Sequence, residues 1–270
     1  MAKQFLSDSH MHSSASFDGF SPVEEMARAA WEHGMDSITI TDHRDCSTFL
    51  FDNSRAMMAS SRFMAKQAAA DWEGKLEVLF GVELGEPLQD LHAAEEVERA
   101  GPYDFILGSL HNLKGEEDFY FLHYEKEDPE ELLSRYFSEL LQMVQWGRFD
   151  SLAHLTYPFR YMRHVAPEKT EITRFLPQID LVFEEIIRRG IALEVNASGY
   201  RQEIGVPLPD ESLVRRYYEK GGRMITIGAD AHIPRDTGAG IPRVLEMLRR
   251  IGFSHYTLFR EREPVRIPIL

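Results

Sequence analysis

Only one cysteine, Cys46, occurs in the 270 residues, which excludes an intrachain disulfide and any zinc site built on thiolates. A bound metal would have to be held by His, Asp or Glu. Long apolar runs are missing too: no uninterrupted stretch reaches membrane-spanning length, and the segment from Met1 to Asp8 has no signal-peptide core. A cytoplasmic location with no membrane partner is the expectation. Basic residues are scarce, with 30 Lys and Arg against 44 Asp and Glu and a formal net charge of -14. Binding to a nucleic-acid backbone rests on Lys and Arg displacing counterions, so this balance argues against nucleic acid as a partner. Low-complexity segments, tandem repeats and Gly/Ser linkers are also lacking, and one domain over residues 1–270 is the simplest reading.

What is present is 43% hydrophobic residues, enough for one large core. Short apolar, β-branched runs at Phe5-Leu6, Ser37 to Ile40, Glu77 to Phe80, Phe105 to Leu107, Ser151 to Ala153, Ala192 to Val195 and Met224 to Ile227 predict seven core strands. Helical periodicity fills the intervals: Pro22 to His33, Ser54 to Trp72, Leu88 to Arg99, Pro129 to Trp146, Glu171 to Arg189, Asp210 to Lys220 and Arg235 to Arg250. Alternation of apolar strands with helices implies a parallel sheet covered by helices. Seven such units point to an α/β fold of the irregular TIM-like barrel type, with an open doubly wound sheet as the alternative. A closed barrel spreads its reacting groups over the carboxyl ends of many strands, whereas an open sheet gathers them at a switch point. The polar residues follow the first pattern.

The first strand runs into Asp8-Ser9-His10-Met11-His12, where two imidazoles two residues apart share a face. Thr41-Asp42-His43 ends the second strand, Gly81-Val82-Glu83 the third, Ser109-Leu110-His111 the fourth and Leu152-Ala153-His154 the fifth. Gly228-Ala229-Asp230-Ala231-His232 ends the last. Singly, each is as well read as a hydrogen-bonded core group or a polar strand end. Together, six of the eleven histidines cap five strands at the same end, beside Glu83 and Asp230. Six imidazoles on one rim are costly to desolvate unless divalent cations organise them. His33, His92, His123, His164 and His255 remain: His33 reads as a helix C-terminal residue before Gly34 and is given no chemistry, while His123, which follows the His111 loop, reads as a solvated loop residue with an approach to the rim as the alternative.

These motifs, in this order over nearly the whole chain, resemble the polymerase and histidinol phosphatase superfamily, and more narrowly its histidinol-phosphate phosphatases. The resemblance implies a distorted seven-stranded β/α barrel with three clustered divalent ions, zinc, manganese or iron. It implies that His10, His12, Glu83 and Asp230 hold the first ion, Glu83, His111 and His154 the second, and Asp18, His43 and His232 the third. Asp18-Gly19 reads equally well as a turn. The segment Leu193 to Arg201 and the run Tyr157-Pro158-Phe159-Arg160-Tyr161 resemble the parts of these phosphatases that carry phosphate-binding arginines, here Arg201 and Arg160. Guanidinium groups suit phosphate because they donate paired hydrogen bonds, though a surface arginine is the plain alternative for both. The tail from Gly252 to Phe259 also resembles these phosphatases, whereas the loop from Asn112 to Glu127 is longer and more charged than the resemblance implies.

The implied chemistry is hydrolysis of L-histidinol phosphate, a step of histidine biosynthesis, by a hydroxide bridging two cations, since coordination lowers the pKa of water toward neutrality. His43, Asp230 and His232 are the expected catalytic groups, with the corner of the third ion assisting the leaving alkoxide. Another small phosphate ester, such as a nucleotide, stays open as substrate. A protein tyrosine phosphatase role and a non-catalytic metal-binding regulatory barrel stay open as well, though no expected ligand is missing. Mixed nitrogen and oxygen ligands suit zinc, manganese and iron alike.

Overall fold

Residues 3–51, 53–162, 165 and 167–270 are described in a computed structural model; His164 lies outside them. The first half runs β1 (Ser7–Asp8), α1 (Val23–Glu32), β2 (Ser37–Ile40), β3 (His43–Asp45), α2 (Ser54–Asp71), β4 (Glu77–Gly85), α3 (Leu91–Arg99) and β5 (Phe105–Ser109). The second half runs α4 (Pro129–Trp146), β6 (Ser151–Leu152), α5 (Phe159–Met162), α6 (Leu176–Arg189), β7 (Ala192–Asn196), α7 (Glu211–Glu219), β8 (Ile225–Gly228), α8 (Ile241–Ile251), β9 (His255–Arg260) and β10 (Glu263–Pro268).

The main sheet has the order β1-β2-β4-β5-β6-β7-β8, with β3 pairing β4. Every pairing in it is parallel. Beyond β1 and β8 the two edges meet: Ser9 N–H donates to the Ile227 carbonyl at 2.9 Å, Asp230 N–H to His10 at 2.8 Å, and His12 N–H to Ala231 at 2.9 Å. The expected seven-stranded TIM-like barrel is therefore observed, and an open sheet is excluded. β3 continues β2 after a break at Thr41-Asp42, and its register sets His43 opposite Glu83.

Alternation along each strand divides the barrel. Ile38, Ile40, Val82, Ile106, Leu193 and Ile227 pack outward into the main core with the helices. α4 shows why these segments are helical. Asp128 caps it by accepting from Glu130 N–H at 3.1 Å, buried Leu133, Phe137, Leu140 and Val144 recur at helical spacing, and Gly147 ends it at φ 64.

Boundaries moved where local chemistry overrode the apolar pattern. The first strand lies at Ser7–Asp8, two residues beyond the expected Phe5-Leu6. The third helix starts at Leu91 and not Leu88, because Asp90 caps it, accepting from His92 and Ala93 N–H at 3.0 Å. The last helix starts at Ile241 and not Arg235: Gly238 (φ 71) and Gly240 (φ 86) break the chain after a short 3₁₀ turn. The β9–β10 hairpin is an addition to the expected elements. Its Phe259 closes the amino end of the barrel against Phe105, with ring centroids 5.3 Å apart, in a small cluster with Leu107, Ala153 and Ala192. Arg260–Glu77 (2.6 Å) and Arg262–Asp150 (2.9 Å) pin the hairpin there. One end of the barrel is thus sealed by apolar packing, and the polar groups are left to the other.

Candidate metal centre at the carboxyl end of the barrel

Glu83, 1% exposed, ends the inward face of β4 and divides the imidazoles between its two oxygens. Oε2 lies 3.0 Å from His10 Nε2, 3.5 Å from His12 Nε2 and 3.3 Å from His43 Nδ1. Oε1 lies 3.2 Å from His111 Nε2 and 3.1 Å from His154 Nε2. Asp230 faces the first pair, its Oδ1 3.3 Å from His12 Nε2 and 3.7 Å from His10 Nε2. Asp18 joins the outer corner, 2.9 Å from His232 Nε2 and 3.7 Å from His43 Nε2, while the rings of His43 and His232 both stack on His12. All nine residues expected as ligands converge.

Ligand atoms of His10, His12 and Glu83 lie within 4.8 Å of one another, as do those of His43, Glu83 and His111, and those of His12, Asp18, His43 and His232. Two further observations fit divalent cations. His111 Nε2 and His154 Nε2 face each other at 3.3 Å with Glu83 Oε1 beside both, a convergence of lone pairs that a cation satisfies better than one shared proton. His12 Nε2, His43 Nδ1 and Asp18 Oδ1 are buried without a well-formed hydrogen bond among the described residues.

Electrostatics agree. Burial opposes charge on His10, yet the carboxylates of Glu194, Glu83 and Asp230 outweigh it and hold the imidazole well above its usual range. Burial likewise opposes charge on His43, but Glu83 and Asp45 raise it to about 10. His111 is raised against burial by Glu83 and Glu86. His12 goes the other way, down to about 4, through burial and the positive charges of His232 and His43. Burial works against ionised Glu83 and Asp230 too, yet His43 and His10 hold Glu83, and His10 with His12 holds Asp230, well below the usual carboxylate range. The rim is a basin of negative charge whose protons stand where cations fit.

The backbone is braced by carboxylates to which the sequence reading gave no role. Asp8 accepts from Ala229 N–H (2.8 Å), Gly238 N–H (2.9 Å) and His10 N–H (3.3 Å), tying the first motif to the last; burial raises its pKa to about 6. Asp42 accepts from Ser13 N–H (2.6 Å), Ser13 Oγ (2.9 Å) and Ser16 Oγ (3.0 Å), and from Ser61 Oγ. Glu194, inward on β7, lies 2.6 Å from His10 Nδ1 and accepts from His154 N–H at 2.8 Å. Glu86 does the same for His111, at 3.2 Å from Nδ1 and accepting from its N–H at 2.6 Å. Such partners fix which imidazole nitrogen faces a metal. A signal for Glu194 was there, a lone carboxylate inside an apolar strand. Asp230 holds φ 54, a left-handed conformation that Asp tolerates better than most residues.

The two arginines differ. Arg160 lines the cavity above the cluster and donates to Ser198 Oγ at 2.8 Å and to Asp230 Oδ2 at 3.3 Å. Arg201 stands outside that lining; it donates to the Ala229 carbonyl at 2.8 Å and the Asp230 carbonyl at 3.4 Å, bracing the Asp230 turn from behind. His33 Nδ1 donates to the Thr237 carbonyl at 2.8 Å, and His123 is exposed. No helix among the described residues is long and apolar enough to cross a membrane.

Known proteins are similar to this chain in sequence and in fold. A protein of Thermotoga maritima named "Probable histidinol-phosphatase" is 28% identical over 253 residues, covering 92% of this chain and 93% of the relative. The "Histidinol-phosphatase" of Lactococcus lactis subsp. lactis is 25% identical over 265 residues, 93% of each. The crystal structure of histidinol phosphate phosphatase from Lactococcus lactis, complexed with zinc, L-histidinol and phosphate, superposes with a TM-score of 0.84, at 22% identity, over 97% of this chain and 100% of that one. Residues 8–198, most of the barrel and all but two of the nine converging residues, match the PHP domain, and the chain belongs to that family.

Proposed function

We propose that this protein hydrolyses L-histidinol phosphate to L-histidinol and phosphate with divalent cations bound at the barrel rim. The observation that carries the reading is Glu83, whose two oxygens face five imidazoles in two sets. The names and coverage of the relatives support the substrate.

Three ions are proposed, held by His10, His12, Glu83 and Asp230, by Glu83, His111 and His154, and by Asp18, His43 and His232. Cations bound there supply Lewis-acid polarisation of phosphate oxygens and acidify water at neutral pH. The chain's own residues do the rest. Arg160 neutralises charge on the phosphate from inside the cavity, and Arg201 supports it from the Asp230 turn. As the bond from phosphorus to the substrate oxygen breaks and water's oxygen takes its place, the leaving alkoxide needs positive charge, which a cation held by Asp18, His43 and His232 would supply. Glu194 and Glu86 keep His10 and His111 in the tautomer that turns Nε2 to the rim.

The test is phosphate release from L-histidinol phosphate by protein purified without chelator, with metal content measured on the same sample and p-nitrophenyl phosphate and AMP alongside. Preference for histidinol phosphate, with kcat/KM lowered by Arg160→Ala and by Asp18→Ala, is the expected result. Equal use of the three esters would sink the substrate assignment, and unchanged turnover in Asp18→Ala would sink the role of that corner.

A further inference from the structure

The cavity over the rim has a volume of about 860 Å³, in the range of small-molecule sites, and its charge is unevenly placed. Arg160 is the single Lys or Arg among the described residues that line it, and it sits at the metal end beside Asp230. Another part of the wall comes from the loop after β5, which brings Glu116, Glu117 and Asp118 with Tyr120 and Phe121. Glu116 is already paired with Arg135 at 2.8 Å. Asp118 is different. Its Oδ1 accepts from the Tyr157 hydroxyl at 2.9 Å and from Tyr120 N–H at 2.7 Å, while Oδ2 has no partner among the described residues.

Tyrosine rings lead from the metal ligands to this carboxylate. Tyr157 packs on His111 and His154 with centroids 5.0 and 5.1 Å apart, Tyr161 on Tyr157 at 5.4 Å, and Tyr120 on Tyr161 at 5.5 Å. Arg160 lies over the Tyr157 ring, 5.2 Å from its centroid, while the hydroxyl of that ring reaches Asp118. One side chain thus separates a guanidinium from a carboxylate. Aromatic faces and an anion together favour an ammonium or imidazolium group, and disfavour a second anionic group such as a further phosphate.

From this geometry we propose that Asp118, with Tyr120 and Tyr161 beside it, determines specificity by binding a positively charged group on the alcohol half of the phosphate ester. The inference rests on the reading of the site as a phosphoesterase, and it names the class of leaving alcohol as a cationic amino alcohol.

The experiment uses the metal-loaded full chain and compares kcat/KM for L-histidinol phosphate, phosphoethanolamine and p-nitrophenyl phosphate in wild type, Asp118→Asn and Asp118→Glu. Asparagine keeps an acceptor for Tyr157 and Tyr120, removes the charge and puts an NH₂ donor where Oδ2 stood. A charge-assisted hydrogen bond lost in this way lowers the ratio of each amino-alcohol ester to p-nitrophenyl phosphate by about tenfold to hundredfold, chiefly through KM. Asp118→Glu recovers most of that ratio. A fall shared equally by all three esters would mean that Asp118 only props the loop, and an unchanged ratio would mean that it reads no charge; either overturns the proposal. Calorimetric titration with L-histidinol gives a readout independent of turnover, weakened by the same factor in Asp118→Asn. Should wild type prefer phosphoethanolamine to histidinol phosphate, the substrate named above falls, while the Asp118→Asn ratio still decides the role of Asp118.

Discussion

Glu194→Gln tests whether the buried carboxylate on β7 orders the rim. Glu194 is 1% exposed and meets three donors: His10 Nδ1 at 2.6 Å on Oε1, and His154 N–H at 2.8 Å and Asn196 Nδ2 at 3.2 Å on Oε2. Glutamine offers one oxygen where two are used, so its amide NH₂ must face either the His10 ring or the His154 backbone. The loss is one buried charge-assisted hydrogen bond and one donor left opposite another donor. Hydrogen bonds to charged groups contribute about 1.5–3 kcal/mol, and removing a ligand-orienting partner lowers metal affinity by about 10–100-fold. The assay is metal content by mass spectrometry after dialysis against buffered free zinc, with urea unfolding of the same samples stripped of metal. The variant should need at least tenfold more free zinc for half-loading and lose about 2 kcal/mol of stability. Unchanged half-loading and an unchanged unfolding midpoint would refute the assignment of Glu194 to His10.

Two other outcomes follow from packing and charge. At Gly228 an added Cβ would stand 2.2 Å from His10 Cβ and 2.5 Å from Glu194 Oε1, so Gly228→Ala should cost about 1–3 kcal/mol in urea unfolding and shed metal; a variant of wild-type stability and content would contradict that contact. In the metal-free protein His10 and His111 stand well above the usual imidazole range and His43 near 10, so these three are protonated at pH 7 and zinc must displace their protons. Apparent zinc affinity should therefore rise with pH from 6 to 9, and calorimetry in buffers of different ionisation enthalpy should detect proton release at pH 7. A pH-independent affinity would count against the charge held at the rim.

How much was legible before the structure varies with the physics involved. Short apolar, β-branched runs and helical spacing marked the barrel, because a strand covered by helices outside must be apolar wherever it faces them. The proposed ligands stood out because strand ends in such a barrel share one rim, so that residues as distant as His10 and His232 are read together once the strands are found. Even Asp18, which also reads as a turn residue, reaches His232 at 2.9 Å. Helix starts at Leu91 and Ile241 were misjudged, since one capping carboxylate or two left-handed glycines outweigh an apolar pattern that continues past them.

The sequence alone determined which donors are on offer: one cysteine and six strand-end histidines leave His, Asp and Glu as the candidate ligands, and local alternation sets which way each side chain points. Tertiary structure alone decided the partners of those ligands. Glu194 meets His10 across 184 residues and Asp8 meets Gly238 across 230, contacts fixed by barrel closure and by no local pattern. It also decided that Phe259 seals one end of the barrel, and that Asp118 lines the same cavity as the proposed metal ligands. A loop's charge can be read from its residues, but the wall it forms depends on how Tyr157, Tyr161 and Tyr120 pack against one another.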